Sequence, residues 1–146
     1  MLITTTLKPS DIDVLAPLYL EYFNTFEEAQ WTIEKVNRRL RQLVVREDNL
    51  GLLLKEDETV IGFAVGQLVQ FDDGIVFELN ELFIAASYQS KGYGSYLLNA
   101  IENLAREHDA FRIQLLTGVD DRHHNFYNRK HGYSDGSNNI QKTKSL

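Results

Sequence analysis

The chain has 146 residues, of which 43% are hydrophobic and 25% charged. This is an ordinary globular balance at a length suited to one domain, so a single domain over residues 1–146 is expected, and wholesale disorder, collagen and coiled-coil rods are excluded. There is no Cys, which removes a disulfide framework, a thiolate metal site and a Cys nucleophile. Lys plus Arg is 15 against 21 for Asp plus Glu, a net charge of −6. That balance argues against tight binding to a phosphate backbone and favours attraction of a cationic small molecule.

The longest apolar stretches, such as Val60–Gly66, fall far short of the roughly 20 residues that span a bilayer. Met1 to Lys8 shows no basic segment followed by a long apolar run, so no secretory signal and a cytoplasmic location are expected. No repeat, linker or low-complexity tract interrupts the chain.

Leu2 to Leu7 alternates as a short strand. Pro9-Ser10-Asp11 stops it, and Ile12, Leu15, Leu18 and Tyr19, followed by Tyr22 and Phe23, recur at helical spacing. Thr32 to Val45 predicts a second helix with Ile33, Val36, Leu40, Leu43 and Val44 on one face, leaving Arg38, Arg39 and Arg41 as a solvated face. The period then changes. Leu50–Leu54, Val60–Val69 and Ile75–Ala85 read as strands separated by turns at 55–58 and 72–74, hence antiparallel neighbours. A third helix opens near Gly92 and carries Tyr93, Leu97, Ala100, Ile101, Leu104 and Ala105. Phe111–Leu116 reads as a strand parallel to Ile75–Ala85. A weaker helix covers about 122–131, and Asn138–Leu146 offers a last edge strand. The order β-α-α-β-β-β-α-β-α-β predicts an α/β sandwich with a mixed sheet.

The chemistry concentrates in residues 81–95. A buried strand runs into a polar loop and then into a glycine-bearing helix start, where amides and the helix dipole favour an anion. Gly92 and Gly94 permit close approach of a phosphate or pyrophosphate, and Gln89 and Lys91 add side-chain donors. A Rossmann turn is disfavoured because Leu97 stands where a third glycine is wanted. A P-loop is excluded because no Gly-Lys-Ser/Thr follows a four-residue spacer.

Gln89-x-x-Gly92-x-Gly94, after Leu82-Phe83-Ile84 and at the start of a long amphipathic helix, resembles the acetyl-CoA motif of the GNAT superfamily of N-acetyltransferases. The resemblance extends over most of the chain, because the element order matches as well. It implies a mixed, mostly antiparallel sheet of six to seven strands flanked by about four helices, as a three-layer α-β-α sandwich. It also implies acetyl-CoA as cosubstrate and no metal. Backbone amides from Gln89 through Ser90, Lys91, Gly92, Tyr93 and Gly94 to Ser95 would cradle the pyrophosphate. Leu82, Phe83 and Ile84 would pair with the pantetheine amides, and Thr117 and Asp120 would line the exit of the thioester gap. Asp120 stands where the family often has Asn.

The implied reaction is acetyl transfer to a primary amine by direct attack. An alkyl amine has a pKa of about 10, so it must lose a proton, directly or through water. Glu78 and Glu81 are both candidate bases. A regular strand sends residues three apart to opposite faces, and a β-bulge, common in the family, would change that. Tyr127 is the candidate acid for the leaving thiolate. The family's usual spacing puts Tyr four residues before Gly, whereas Tyr127 is five before Gly132 and Asn128 holds the usual place. One extra residue in the helix or its turn would restore Tyr127; without it the acid is absent.

In the family the first two helices and their loop build much of the acceptor site. Here Tyr22, Phe26, Glu27 and Trp31 suit a small cationic amine or a peptide amine. A homodimer is a further implication of the resemblance; no nucleic-acid or membrane partner is expected. His123-His124 are adjacent, diverge around a helix, and are not expected to share a metal ion. Two other classes stay open: a non-catalytic CoA-sensing or interaction module on the same fold, and a nucleic-acid-binding domain using the arginine-rich second helix, which the acidic balance opposes.

Overall fold

The computed structural model describes residues 1–136 and 138–146. They form two compact units, Met1–Leu115 and Leu116–Leu146.

The first unit holds one five-stranded sheet in the order β1-β2-β3-β4-β5. Its strands are β1 (Leu2–Thr6), β2 (Asn49–Glu56), β3 (Thr59–Phe71), β4 (Gly74–Ile84) and β5 (Ala110–Leu115). The first four are antiparallel neighbours, and β5 joins parallel to β4. The parallel join follows from the helix α3 (Tyr93–Glu107), which returns the chain to the starting end of the sheet.

Helices α1 (Ile12–Phe26) and α2 (Ile33–Val44) precede the meander. The Thr32 hydroxyl caps α2 by accepting the Lys35 amide at 3.2 Å. Leu15, Tyr19, Val36 and Leu40 pack with Leu53, Phe63, Val65 and Phe83 in one continuous core cluster. Residues that alternate with these on the strands, such as Leu54 and Ala64, face the other way. On α3 the matching apolar stripe is Leu97, Leu98, Ile101 and Ala105, all buried.

The feature that positions the site is a register break in the β3–β4 pair. Val65 lies opposite Glu81, but the next residue, Gly66, lies opposite Leu79. Asn80 is therefore an extra residue on β4, a β-bulge. Gly66 makes it feasible. A Cβ there would lie 2.3 Å from the Glu78 carbonyl oxygen and 2.5 Å from the Phe77 ring.

The second unit contains a short helix α4 (Asp121–His124), which continues through Asn125–Lys130 with the wider π-helical turn. No strand forms in residues 138–146, so the described sheet has five strands rather than six to seven. The tail lacks the alternating apolar residues that a strand would bury. Ile140 is 81% exposed, and Lys142 and Lys144 are exposed as well. No helix among the described residues is long and apolar enough to cross a membrane.

Gly66→Ala is expected to destabilise the protein by about 1–3 kcal/mol, since the atom in the way is backbone and cannot swing aside. Urea unfolding of the two proteins measures it, and an unchanged midpoint would show that the bulge tolerates a Cβ.

Candidate active site

The bulge decides where the two carboxylates point. Glu81 pairs with Val65 and Glu78 with Gln67. Val65 and Gln67 are two apart on a regular strand, so Glu78 and Glu81 share one sheet face, the one bearing α1 and α2. A regular β4 would have separated them.

Glu81 lies among polar partners beneath the helices, its side chain 14% exposed. Its Oε1 accepts the Tyr19 hydroxyl at 2.9 Å. The same oxygen accepts Arg39 Nε at 3.3 Å and Nη2 at 3.2 Å. Burial pushes the Glu81 carboxyl above its ordinary value, and the Tyr19 and Arg39 bonds offset only part of that push. The Tyr19 hydroxyl is raised in turn, by burial first and by the Glu81 charge second. Glu78 is more open, and its Oε1 accepts Gln114 Nε2 at 3.0 Å.

β4 pairs with β5 only as far as Leu79 opposite Leu115. From Asn80 to Ile84 its β5-side edge has no strand partner among the described residues, and Leu82, Phe83 and Ile84 lie on that stretch. The Phe83 side chain is buried against Tyr19, Phe23 and Phe63, which fixes the strand while its backbone edge stays open.

The loop after β4 turns through a 3-10 turn at Ala86–Tyr88 into α3. Ser90 (φ 61°) and Gly92 (φ 82°) are both left-handed, a conformation that suits Gly92 at no steric cost. The first intrahelical bond of α3 runs from the Tyr96 amide to the Gly92 carbonyl. The Tyr93 and Gly94 amides therefore precede the helix ladder and point out of its end. A Cβ on Gly92 would meet nothing within 4 Å, so the space in front of these amides is open. Gln89 Nε2 donates to the Ile84 carbonyl at 2.5 Å and braces the loop. Lys91 Nζ lies 5.6 Å over the Tyr88 ring, and the Tyr93 hydroxyl donates to Glu56. Ser95 lies in the first turn of α3, half-buried. An open row of amides at a helix dipole fits a pyrophosphate.

The segment between α1 and α2 is fixed by Asn24. Its Nδ2 donates to the Trp31 carbonyl at 2.8 Å, and its Oδ1 accepts the Trp31 amide at 2.9 Å. Tyr22 donates to Glu27 Oε1 at 2.9 Å. The Tyr22 ring packs on Phe26, whose own side chain is 62% exposed. Trp31 meets Tyr19 edge to face at 5.6 Å. Tyr22, Phe26, Glu27 and Trp31 thus belong to one ordered aromatic and acidic stretch.

In the second unit, Tyr127 lies in the π-helical turn, half-buried, with its ring 5.6 Å from Tyr133 and its carbonyl accepting the Tyr133 amide at 3.0 Å. Gly132 is left-handed, φ 75°, and ends the helix. A π-turn holds one residue more than an α-turn. That accounts for the five-residue step from Tyr127 to Gly132 and for Asn128 at the usual place. Thr117 is exposed. Asp120 caps α4, accepting the His123 amide at 3.0 Å, with its other oxygen 2.6 Å from His123 Nδ1. These bonds hold the Asp120 carboxyl below its ordinary value. Among the described residues, no group of three or more His, Asp or Glu side chains is placed to hold a metal ion.

Three residues beside the carboxylates escaped the sequence reading. Tyr19 reads as core, and Arg39 reads as part of a solvated basic face. Arg46 falls just after α2 and carries no motif. No spacing signal links them, because Arg46 lies beyond the end of α2.

The model of the acetyltransferase (GNAT) family matches residues 15–133. The chain therefore belongs to that family and is an N-acetyltransferase. An uncharacterized N-acetyltransferase of Bacillus subtilis (strain 168), YhfO, is 27% identical over 122 residues, covering 81% of this chain and 77% of that protein. Among solved structures, a possible acetyltransferase from Clostridium difficile 630 superposes with a TM-score of 0.83 at 13% identity, covering 100% of this chain and 99% of the other. The aminoglycoside N-acetyltransferase AAC(6')-Iy in complex with CoA superposes at 0.75 with 12% identity, covering 100% and 96%. Identities this low speak for the fold alone.

The raised Glu81 gives a pH signature. Between its ordinary and its raised pKa the folded state holds a proton that the unfolded state has lost, so stability falls as pH rises through that window. Urea unfolding from about pH 4 to pH 7 should show the wild type losing stability with pH relative to Glu81→Gln. The opposite slope would mean that Arg39 and Tyr19 outweigh burial.

Proposed function

We propose that the 146 residues act as one acetyltransferase domain that moves an acetyl group from acetyl-CoA to a primary amine by direct attack. A small cationic amine or a peptide amine is the favoured acceptor. The observation that carries this reading is the open amide row at the start of α3, directly after a β4 edge without a strand partner, with a buried carboxylate on the same strand.

Bound acetyl-CoA supplies the activated acyl group. The amides from Gln89 to Ser95 would hold its pyrophosphate, and the free edge of β4 at Leu82, Phe83 and Ile84 would hold its pantetheine amides. Thr117 and Asp120 are proposed as further cofactor contacts. The Ala85 amide is bound to the Ile61 carbonyl at 2.8 Å. An oxyanion donor would therefore come from an earlier residue of β4.

Glu81 is proposed to take the amine proton, directly or through water. Its raised pKa brings it nearer to neutral pH, where a base is most effective. Glu78 lies on the same face and is the alternative proton acceptor. Tyr127 is proposed to return a proton to the departing thiolate through its hydroxyl. With no Cys in the chain, a Cys-bound acetyl intermediate is closed. Tyr22, Phe26, Glu27 and Trp31 would meet the acceptor through ring faces and carboxylate charge.

Calorimetric titration of acetyl-CoA should show saturable binding that Gly92→Glu abolishes, because a carboxylate would sit among the phosphate-binding amides. Glu81→Gln and Tyr127→Phe should keep that binding and lower kcat roughly 10²- to 10⁴-fold. Absence of binding by the wild type would overturn the reading.

A further inference from the structure

Tyr19 is a buried titratable group that the scheme above does not use. It is 3% exposed, and Phe23, Trp31, Phe63 and Phe83 enclose its ring. A Phe would fill that place and would spare the cost of taking a hydroxyl out of water. The hydroxyl therefore needs a polar reason, and its partner is Glu81 Oε1 at 2.9 Å. Arg39 reaches the same oxygen from α2, with Nε at 3.3 Å and Nη2 at 3.2 Å. A guanidinium fork commonly spans both oxygens of a carboxylate. Here both of its donors and the tyrosine hydroxyl converge on one.

The other oxygen is left over. Glu81 Oε2 has no hydrogen-bond partner among the described residues. It is nevertheless not sealed from solvent, whereas the unpartnered Arg46 Nε is. The Glu81 carboxylate thus has one anchored oxygen and one open oxygen. The titratable and charged groups around it are Tyr19 from α1, Arg39 from α2 and Glu78 on β4 itself, while Arg46 is held to Asn80. Val65 lies opposite on β3. Both Tyr19 and Arg39 favour the ionised carboxylate against its burial.

Resting on the acetyltransferase reading above, we propose that Tyr19 and Arg39 are positioning residues that anchor Glu81 through Oε1 and present Oε2 as the atom that takes the amine proton. Tyr19 is too buried to touch the substrate, and Arg39 turns Nε and Nη2 to Glu81. The bound ammonium gives one proton to Oε2, which frees the nitrogen lone pair. The nitrogen bonds to the acetyl carbon, and the C–S bond breaks with its electron pair leaving on sulfur. The second N–H proton goes to water. Tyr127 protonates the sulfur and is reprotonated from water, and Oε2 returns its proton to solvent.

The test uses the full chain, acetyl-CoA and a panel of primary amines: benzylamine, spermidine and L-lysine methyl ester. A thiol reagent follows CoA release and finds no Cys in the chain to react with. Carbon NMR of protein labelled at the glutamate carboxyls follows Glu81 itself, its signal identified by loss in Glu81→Gln. Arg39→Gln should raise the Glu81 midpoint by about one pH unit, since an opposite charge is lost. The acid limb of kcat/KM should move up by the same amount, with the amine's own ionisation common to all variants. At a pH below that limb, kcat/KM falls on the order of 10-fold. Arg39→Lys should bring the limb back toward the wild type. Tyr19→Phe should move midpoint and limb in the same direction and lower kcat with KM little changed. A merely structural role would scale the rate equally at every pH and leave the midpoint in place. Thermal unfolding identifies a folding defect in Arg39→Gln, and Tyr19→Phe, which removes one oxygen, then carries the comparison.

A Glu81 midpoint unmoved by both Arg39→Gln and Tyr19→Phe overturns the proposal. So does an acid limb that stays in place while the midpoint moves, because the proton acceptor is then another group. Binding of acetyl-CoA without turnover of any amine in the panel overturns it as well. Failure to bind acetyl-CoA at all would instead overturn the acetyltransferase reading on which the proposal rests.

Discussion

One inserted residue, Asn80 in β4, is the constraint on which the proposed chemistry depends. Without it, the alternation of a regular strand would send Glu78 and Glu81 to opposite faces of the sheet. With it, both reach the face under α1 and α2. The insertion also coincides with the point where β4 and β5 stop pairing, at Leu79 and Leu115. A bulge bends and twists its strand, and that supplies a physical reason for the two parallel strands to part there. The same local event thus gathers the carboxylates and frees a backbone edge. Gly66 is its sequence-level condition, because the Glu78 carbonyl occupies the volume that a Cβ would need.

Bringing a carboxylate to that face creates a cost that the helices above must offset. Glu81 loses water, and its ionised form is disfavoured. Tyr19 and Arg39 return two hydrogen-bond donors from two different helices. The result is intermediate between a fully neutralised ion pair and an abandoned charge. A tighter ion pair would lower the pKa and leave a poor base, whereas a fully apolar surround would keep the group protonated. Packing of α1 and α2 on the sheet therefore also sets the surroundings of the carboxyl. The aromatic core at Tyr19, Phe23 and Phe83 holds the donors in register.

Much of this was legible in the sequence because it is periodic. Helical stripes, the alternating meander and the strand-loop-helix run at 81–95 all appear as elements near their expected bounds. The glycine at 92 is legible for a related reason, since a positive φ leaves a mark on residue type. What did not show was non-local. Tyr19, Arg39 and Glu81 are far apart in the chain and meet only when the helices pack. A bulge has no period, so from residues alone it stood as a conditional. The extra strand was expected from the tail, where Ile140 alternates with too little apolar company to be buried.

The spacing at the end of the chain shows how a departure in sequence can be absorbed locally. Between Tyr127 and Gly132 the segment carries one residue more than the usual pattern, and a continued α-helix would rotate Tyr127 by about 100° relative to the capping glycine. The π-turn over Asn125–Lys130 takes up that residue without breaking the helix. The Tyr133 amide still closes onto the Tyr127 carbonyl, and Gly132 still supplies the left-handed cap. Such turns survive only where their poorer hydrogen bonding is compensated. Here the Phe126, Tyr127, His131 and Tyr133 rings pack on one another across the turn. The aromatic contacts thus hold Tyr127 in a fixed relation to its own cap.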